Sequence, residues 1–305
     1  MSFDAFLSKG WGDHGTDAEG VFARLPEGER LVTEARHLAG LAGLAAHVAG
    51  DHLGRFDDGV AFLERLETHA TFDPTTLEGK AVIRSKAALH LAAGRRAEAD
   101  RLEERCRSVP TLPPASNRIR ILATASAALV GQRRTREAAA LLEEALGLAA
   151  YGPDRNDPAA RALAVTGNNL ACELETRPSR TPEEAALMVR AAETGLRFWS
   201  LTGTWLETER AHYRLSCSQR LAGNAKASLE HAEACRSVVE RNAGDAGEQF
   251  YAQEALALAH RAAGNDVAAR RARDAAAALL PKIADEGFRS MAQDSLRALD
   301  TSAPA

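Results

Sequence analysis

The chain has 305 residues, 45% of them hydrophobic but only 5% aromatic, and its formal net charge is −4. Acidic and basic residues are interspersed rather than gathered into a basic block, which argues against a nucleic-acid partner. No apolar run approaches the roughly eighteen residues of a membrane span, and MSFDAFLSKGWGDHGTD lacks a signal peptide's basic start and apolar core, so a cytoplasmic protein without a membrane partner is expected. Cys106, Cys172, Cys217 and Cys235 form no C-x-x-C pair and fall within helical patterns, which predicts free thiols and neither disulfides nor zinc. Alternating β-branched runs are missing, so the composition is that of an all-α chain.

In chain order, residues 1–26 carry glycines and polar residues without sustained periodicity and are expected to form an N-terminal tail or lid. Residues 27–281 read as helical hairpins. The first has apolar Leu31, Val32, Leu38, Leu41, Leu44 and Val48 before a Gly54 turn, then Val60, Phe62, Leu63 and Leu66. The second turns at Gly94 and is stopped by prolines at 110, 113 and 114. The third carries Gly131, Ala138 and Ala145, a turn two residues longer than the others. Asp157-Pro158 opens the fourth as an N-cap acceptor followed by a proline at the first helical position, and RPSR replaces its glycine turn. Thr181/Glu184 and Thr204/Glu207 read as capping boxes. The fifth and sixth hairpins turn at Gly223 and Gly264, and residues 282–305 supply a capping helix and short tail.

One pattern returns about every forty residues. A turn glycine is followed five residues later by one helix position and seven after that by another: Gly54, Gly59, Leu66; Gly94, Ala99, Cys106; Gly223, Ser228, Cys235; Gly264, Ala269, Ala276. Both positions share one helix face, and mostly small side chains there let the preceding helix approach closely. REAAALLEEAL, GNDVAARRARDAAAALLP and TGNNLA resemble segments of tetratricopeptide repeats, across roughly residues 30–281. The units are longer than the family's roughly 34 residues, Leu66 occupies an alanine position, and the fourth turn has no glycine. The resemblance implies a right-handed α-solenoid of about six hairpins plus a C-terminal capping helix, with first helices lining a concave groove.

On that implication, side chains thirteen, ten, six and three residues before each turn face the groove. The C-terminal hairpins then present Asn168, Asn169, Arg210, Tyr213, Arg220, Tyr251 and Glu254 as a polar binding surface, in which arginine and tyrosine combine contact area with directional donors. The same count gives Leu41, Leu44, Val48 and Asp51 in the first hairpin, an apolar trough unless the N-terminal segment buries it. Chaperone-clamping tetratricopeptide domains place cations where Tyr213 and Cys217 stand, so that partner is not implied. His37, His47, His52 and His69 lie close in sequence, and His14 lies between Asp13 and Asp17. Spacings of ten, five and seventeen do not share an α-helical face and no HExxH motif occurs, so no metal site is expected. Nor does a catalytic motif or cofactor-binding loop occur.

The expected function is a non-catalytic scaffold or adaptor that binds a protein segment or peptide, without cofactor. Self-association is compatible with this reading. A regulator sensing a small ligand or peptide, and an enzyme or maturation factor on a helical scaffold, remain open as alternatives.

Overall fold

A computed structural model describes residues 1–107, 112, 113 and 115–301. Pro110, Pro114 and the last residues of the expected tail lie outside them. Among the described residues there are fifteen α-helices and no strand. No described helix is long and apolar enough to cross a membrane. The helices divide into two compact units, Met1–Thr166 and Gly167–Ala305.

The first unit begins with two helices where a tail or lid was expected. In α1 (Phe3–Asp13) and α2 (Ala18–Arg30), Ser2 and Asp17 act as N-caps, accepting from the Ala5 and Gly20 amides at 3.2 and 2.9 Å. Pro26 lies inside α2. Proline in a helix interior costs about 3 kcal/mol. Burying side chains such as Val21 and Leu25, at about 1.5–3 kcal/mol each, offsets that cost. Their partners are Phe3, Phe6, Leu38, Leu41, Leu44 and Val48, so of the two alternatives the N-terminal segment buries these residues and no open trough remains there.

The remaining helices of this unit pack in consecutive pairs: α3 (Ala35–His47) with α4 (Phe56–Glu67), α5 (Leu77–Ala92) with α6 (Arg96–Cys106), and α7 (Ser116–Gly131) with α8 (Thr135–Leu148). The first helices α3, α5 and α7 also pack in succession. The small positions behave as their spacing predicts, since Ala99, Cys106, Ala138 and Ala145 are fully buried. In the third hairpin the expected longer turn is corrected: Arg133 takes the left-handed conformation (φ +58°) that Gly54 and Gly94 take elsewhere. Counted from Arg133, Ala138 and Ala145 fall in the common register. Gly131 is glycine for another reason, because a Cβ there would collide with the Asp51 carbonyl.

That carbonyl belongs to an irregularity. The α3 helix runs directly into a π-helical turn, Val48–His52, in which the Leu53 amide reaches back to the Val48 carbonyl at 3.1 Å. A π turn holds one more residue than an α turn. The sequence carries its trace. Seven residues before each turn stands a small buried residue, Ala87, Ser126, Ser216 or Ala257, but in the first hairpin the small residue is Ala46, eight before Gly54. The Gln132 amide of the third hairpin donates to the carbonyls of Gly50 and Asp51 at 3.1 and 3.0 Å, satisfying backbone groups that the turn displaces.

The division between units falls within α9 (Pro158–Glu175), whose first turn is capped by Asp157 accepting from the Ala159 amide at 2.9 Å. In the second unit, α10 (Pro182–Thr202) meets α9 where Gly167 lies against Gly195 so closely that no Cβ fits. The glycine-free connection works because Arg180 Nη1 donates to the carbonyls of Leu174, Glu175 and Arg177 at 2.9, 3.0 and 2.7 Å, replacing a glycine C-cap. Both predicted capping boxes form. The unit continues with α11 (Trp205–Leu221), α12 (Ala225–Arg241), α13 (Ala246–Ala262) and α14 (Asp266–Leu279), each packed on the next. A last helix, α15 (Glu286–Thr301), rests on α13 and α14.

Candidate functional site

The seven predicted site residues lie on three helices of the second unit: Asn168 and Asn169 on α9, Arg210, Tyr213 and Arg220 on α11, Tyr251 and Glu254 on α13. Tyr213 Oη donates to Glu254 Oε2 at 2.8 Å, and the Tyr213 and Tyr251 rings meet edge to face at 5.9 Å. Arg210 is paired with Glu248. Asn168 Nδ2 donates to Asn169 Oδ1 at 3.2 Å and approaches the Cys172 sulfur at 3.8 Å. Helix α15 reaches the same face, with Phe288 at 5.1 Å from the Tyr251 ring and Ser295 acting on the titration of both Tyr251 and Glu254.

Residues outside the predicted set knit this surface together. Arg214 forms an ion pair with Glu175, and Ser218 Oγ donates to the other Glu175 oxygen at 2.6 Å. The charges of Glu175, Arg214, Arg220 and Glu254 all act on the Cys217 thiol, which burial above all pushes up to about 12. Burial raises Cys172 as well, so neither thiol has the depressed pKa of a redox-sensing cysteine. All four cysteines are free. The Nε atoms of Arg214 and Arg220 are both buried without a hydrogen-bond partner, and among the described residues Arg214 alone of the two is held by an ion pair, with Glu175.

A second polar group, in the first unit, has the opposite character. Lys80 on α5 is 2% exposed and its Nζ has no hydrogen-bond partner. One turn on, Arg84 is 8% exposed and donates to Asn117 Oδ1 at 3.3 Å, a neutral acceptor. Burial, then the charge of nearby Arg120, lowers Arg84 to about 10, and burial lowers Arg120 too. Asp157 is the one carboxylate whose charge supports Arg120, and it is already held by the Ser116 hydroxyl at 2.6 Å and the Ala159 amide. Among the described residues none of the three cations has an ion-pair partner. A buried charge without one costs several kcal/mol.

Arg84 lies ten residues before the Gly94 turn and Arg120 thirteen before the Arg133 turn, both at groove offsets, but neither is among the predicted site residues. Lys80 gave no periodic signal. Helix α5 is among the least amphipathic in the chain, with Lys80, Arg84 and Lys86 buried beside Val82, Ile83 and Leu89.

No protein-family model and no curated protein matches this chain.

Proposed function

We propose that the chain is a non-catalytic scaffold, a right-handed solenoid of tetratricopeptide type, that binds an acidic protein segment. The buried, unpartnered ammonium of Lys80 beside Arg84 and Arg120 carries this reading. A side-chain or C-terminal carboxylate supplies the missing counter-charge, and its two oxygens accept from a guanidinium fork as the single neutral Asn117 oxygen cannot. The successive packing of the first helices α3, α5 and α7 supports a repeat scaffold that presents such residues along one surface. In the second unit Asn168, Asn169 and Arg220 are proposed as a further contact patch, because Arg220 Nε lacks a hydrogen-bond partner and the two asparagine side chains bond to each other.

Thermal unfolding tests the proposal. It is measured with inorganic phosphate, and with peptides paired as acids and amides (Glu against Gln side chains, free against amidated C-termini). Acidic peptides are expected to raise the Tm of the wild type, and Lys80→Met to abolish the response. Equal responses to acid and amide peptides would remove the carboxylate reading. A response to phosphate alone would replace the protein segment with a small anion.

A further inference from the structure

We propose that His14, His47 and His52 form a binding site for a zinc(II) ion, at the junction of the N-terminal helix and the π turn. This site is independent of the acidic-segment reading, and it stands against the expectation that these spacings hold no metal. The π turn is what brings the ligands together. In an α-helix the fifth residue on is rotated about 140° from the first, whereas a π turn of about 4.4 residues returns it to about 50°. His47 ends α3 and His52 ends the π turn, so their rings share a side, with Nε2 atoms 3.2 Å apart. His14, the C-cap of α1, supplies the third ring.

The geometry has the dimensions of a tetrahedral site. Zn–N bonds of about 2.0–2.1 Å set neighbouring ligand nitrogens about 3.3 Å apart and their ring centroids about 5 Å apart. The three centroids stand 5.0 Å (His14–His47), 5.1 Å (His14–His52) and 4.9 Å (His47–His52) apart. One ligand atom from each ring lies within 4.8 Å of the others, so a small rotation of His14 closes the triangle.

Proton positions fit as well. His47 Nδ1 lies 2.8 Å from Asp51 Oδ2, which places the ring proton on Nδ1 and leaves the Nε2 lone pair toward the other histidines. His14 Nδ1 lies 2.6 Å from the Trp11 carbonyl, leaving its Nε2 as the ligand. Neighbouring carboxylates are otherwise engaged, Asp13 with Lys9 and Arg24, Asp17 with Arg24. The remaining histidines of the sequence cluster lie elsewhere, His37 stacked on Phe3 and His69 bonded to Thr71. His52 is exposed and the other two rings are half-buried, so an ion can enter and water can take the fourth position. Three neutral imidazoles, one oriented by a carboxylate, suit zinc better than calcium or magnesium, which prefer oxygen ligands. A bound ion ties α1 to the end of α3.

The test is calorimetric titration of the metal-free full chain with zinc chloride, with cobalt(II) absorption as a report on coordination. One equivalent should bind, cobalt should give the intense visible bands of a four-coordinate ion, and Tm should rise. His52→Gln, at an exposed position, should weaken binding at least tenfold, and Asp51→Asn roughly 10–100-fold. Circular dichroism checks that both variants fold. Absence of saturable one-to-one binding to the wild type overturns the proposal without reference to any variant. So does unchanged affinity in a folded His52→Gln protein.

Discussion

The two units build polar faces from the same kind of helix, and one buried group in each settles its charges differently. In the second, Arg214 meets Glu175, Arg210 meets Glu248, and Tyr213 meets Glu254, with α15 covering part of the result. In the first, among the described residues, Lys80 has no hydrogen-bond partner, Arg84 meets only a neutral acceptor, and the one carboxylate acting on Arg120 is already occupied. Charged residues at corresponding repeat positions therefore do not carry one meaning. Where partners exist within the fold they hold it together, and where they are missing the proposed acidic segment would supply the counter-charge.

The largest effect that can break this comparison is expected at Glu175, whose side chain is 9% exposed. Glu175→Ala strands the Arg214 guanidinium and should lower stability by about 3–5 kcal/mol in denaturant unfolding. A loss below about 1 kcal/mol would show that the second unit's charges are no more structural than those of the first.

The next effect is a pH dependence of the second unit. Glu209 is buried, accepts from the Cys235 thiol at 2.9 Å, and is raised by burial to about 8. Because the folded state holds this proton more tightly than the unfolded chain, the stabilisation is complete below about pH 4.5 and is lost as pH rises toward 8. His212 acts in the opposite sense. Burial lowers it to about 4, so its contribution is present above about pH 6.5 and lost as pH falls toward 4. Stability should decline on the order of 2–4 kcal/mol between pH 5 and 8 through Glu209, with the His212 term offsetting part of it below pH 6.5. Glu209→Gln should flatten the decline, and an unaltered profile in that variant would assign it to another group.

The smallest effect sharpens the comparison from the other side. Lys80→Met removes a buried charge that has no partner while keeping the aliphatic stem. It should leave the ligand-free protein unchanged or more stable by about 1–2 kcal/mol. A marked loss of stability would mean that Lys80 has a counter-ion in the folded chain and that the two units are alike after all.

Much of the architecture was legible in the sequence because it rests on local rules. The turn glycines Gly54, Gly94, Gly223 and Gly264, the positions five and twelve residues beyond them, and the boxes at Thr181 and Thr204 each depend on neighbours within a few turns of helix and appear where their spacing places them, whereas the third turn falls at Arg133 rather than Gly131. The N-terminal helices were missed because their apolar faces are short and interrupted by glycine and proline. What makes them helical is the core of α3 waiting to be covered.

The rest was decided by tertiary structure. The displaced Ala46 hints at an extra residue in the first hairpin, but the π turn is held by Gln132, about eighty residues away in sequence, and by the missing Cβ of Gly131. Without that turn His47 and His52 point apart and the histidine cluster means nothing, which is why spacing alone argued against it. Charge compensation is equally non-local: Glu175 finds Arg214 across 39 residues and Tyr213 finds Glu254 across 41, while Lys80 finds no partner. Periodicity fixes which face of a helix a residue occupies. Whether a charge on that face is balanced depends on which helix the fold sets opposite, and that follows from packing the whole core.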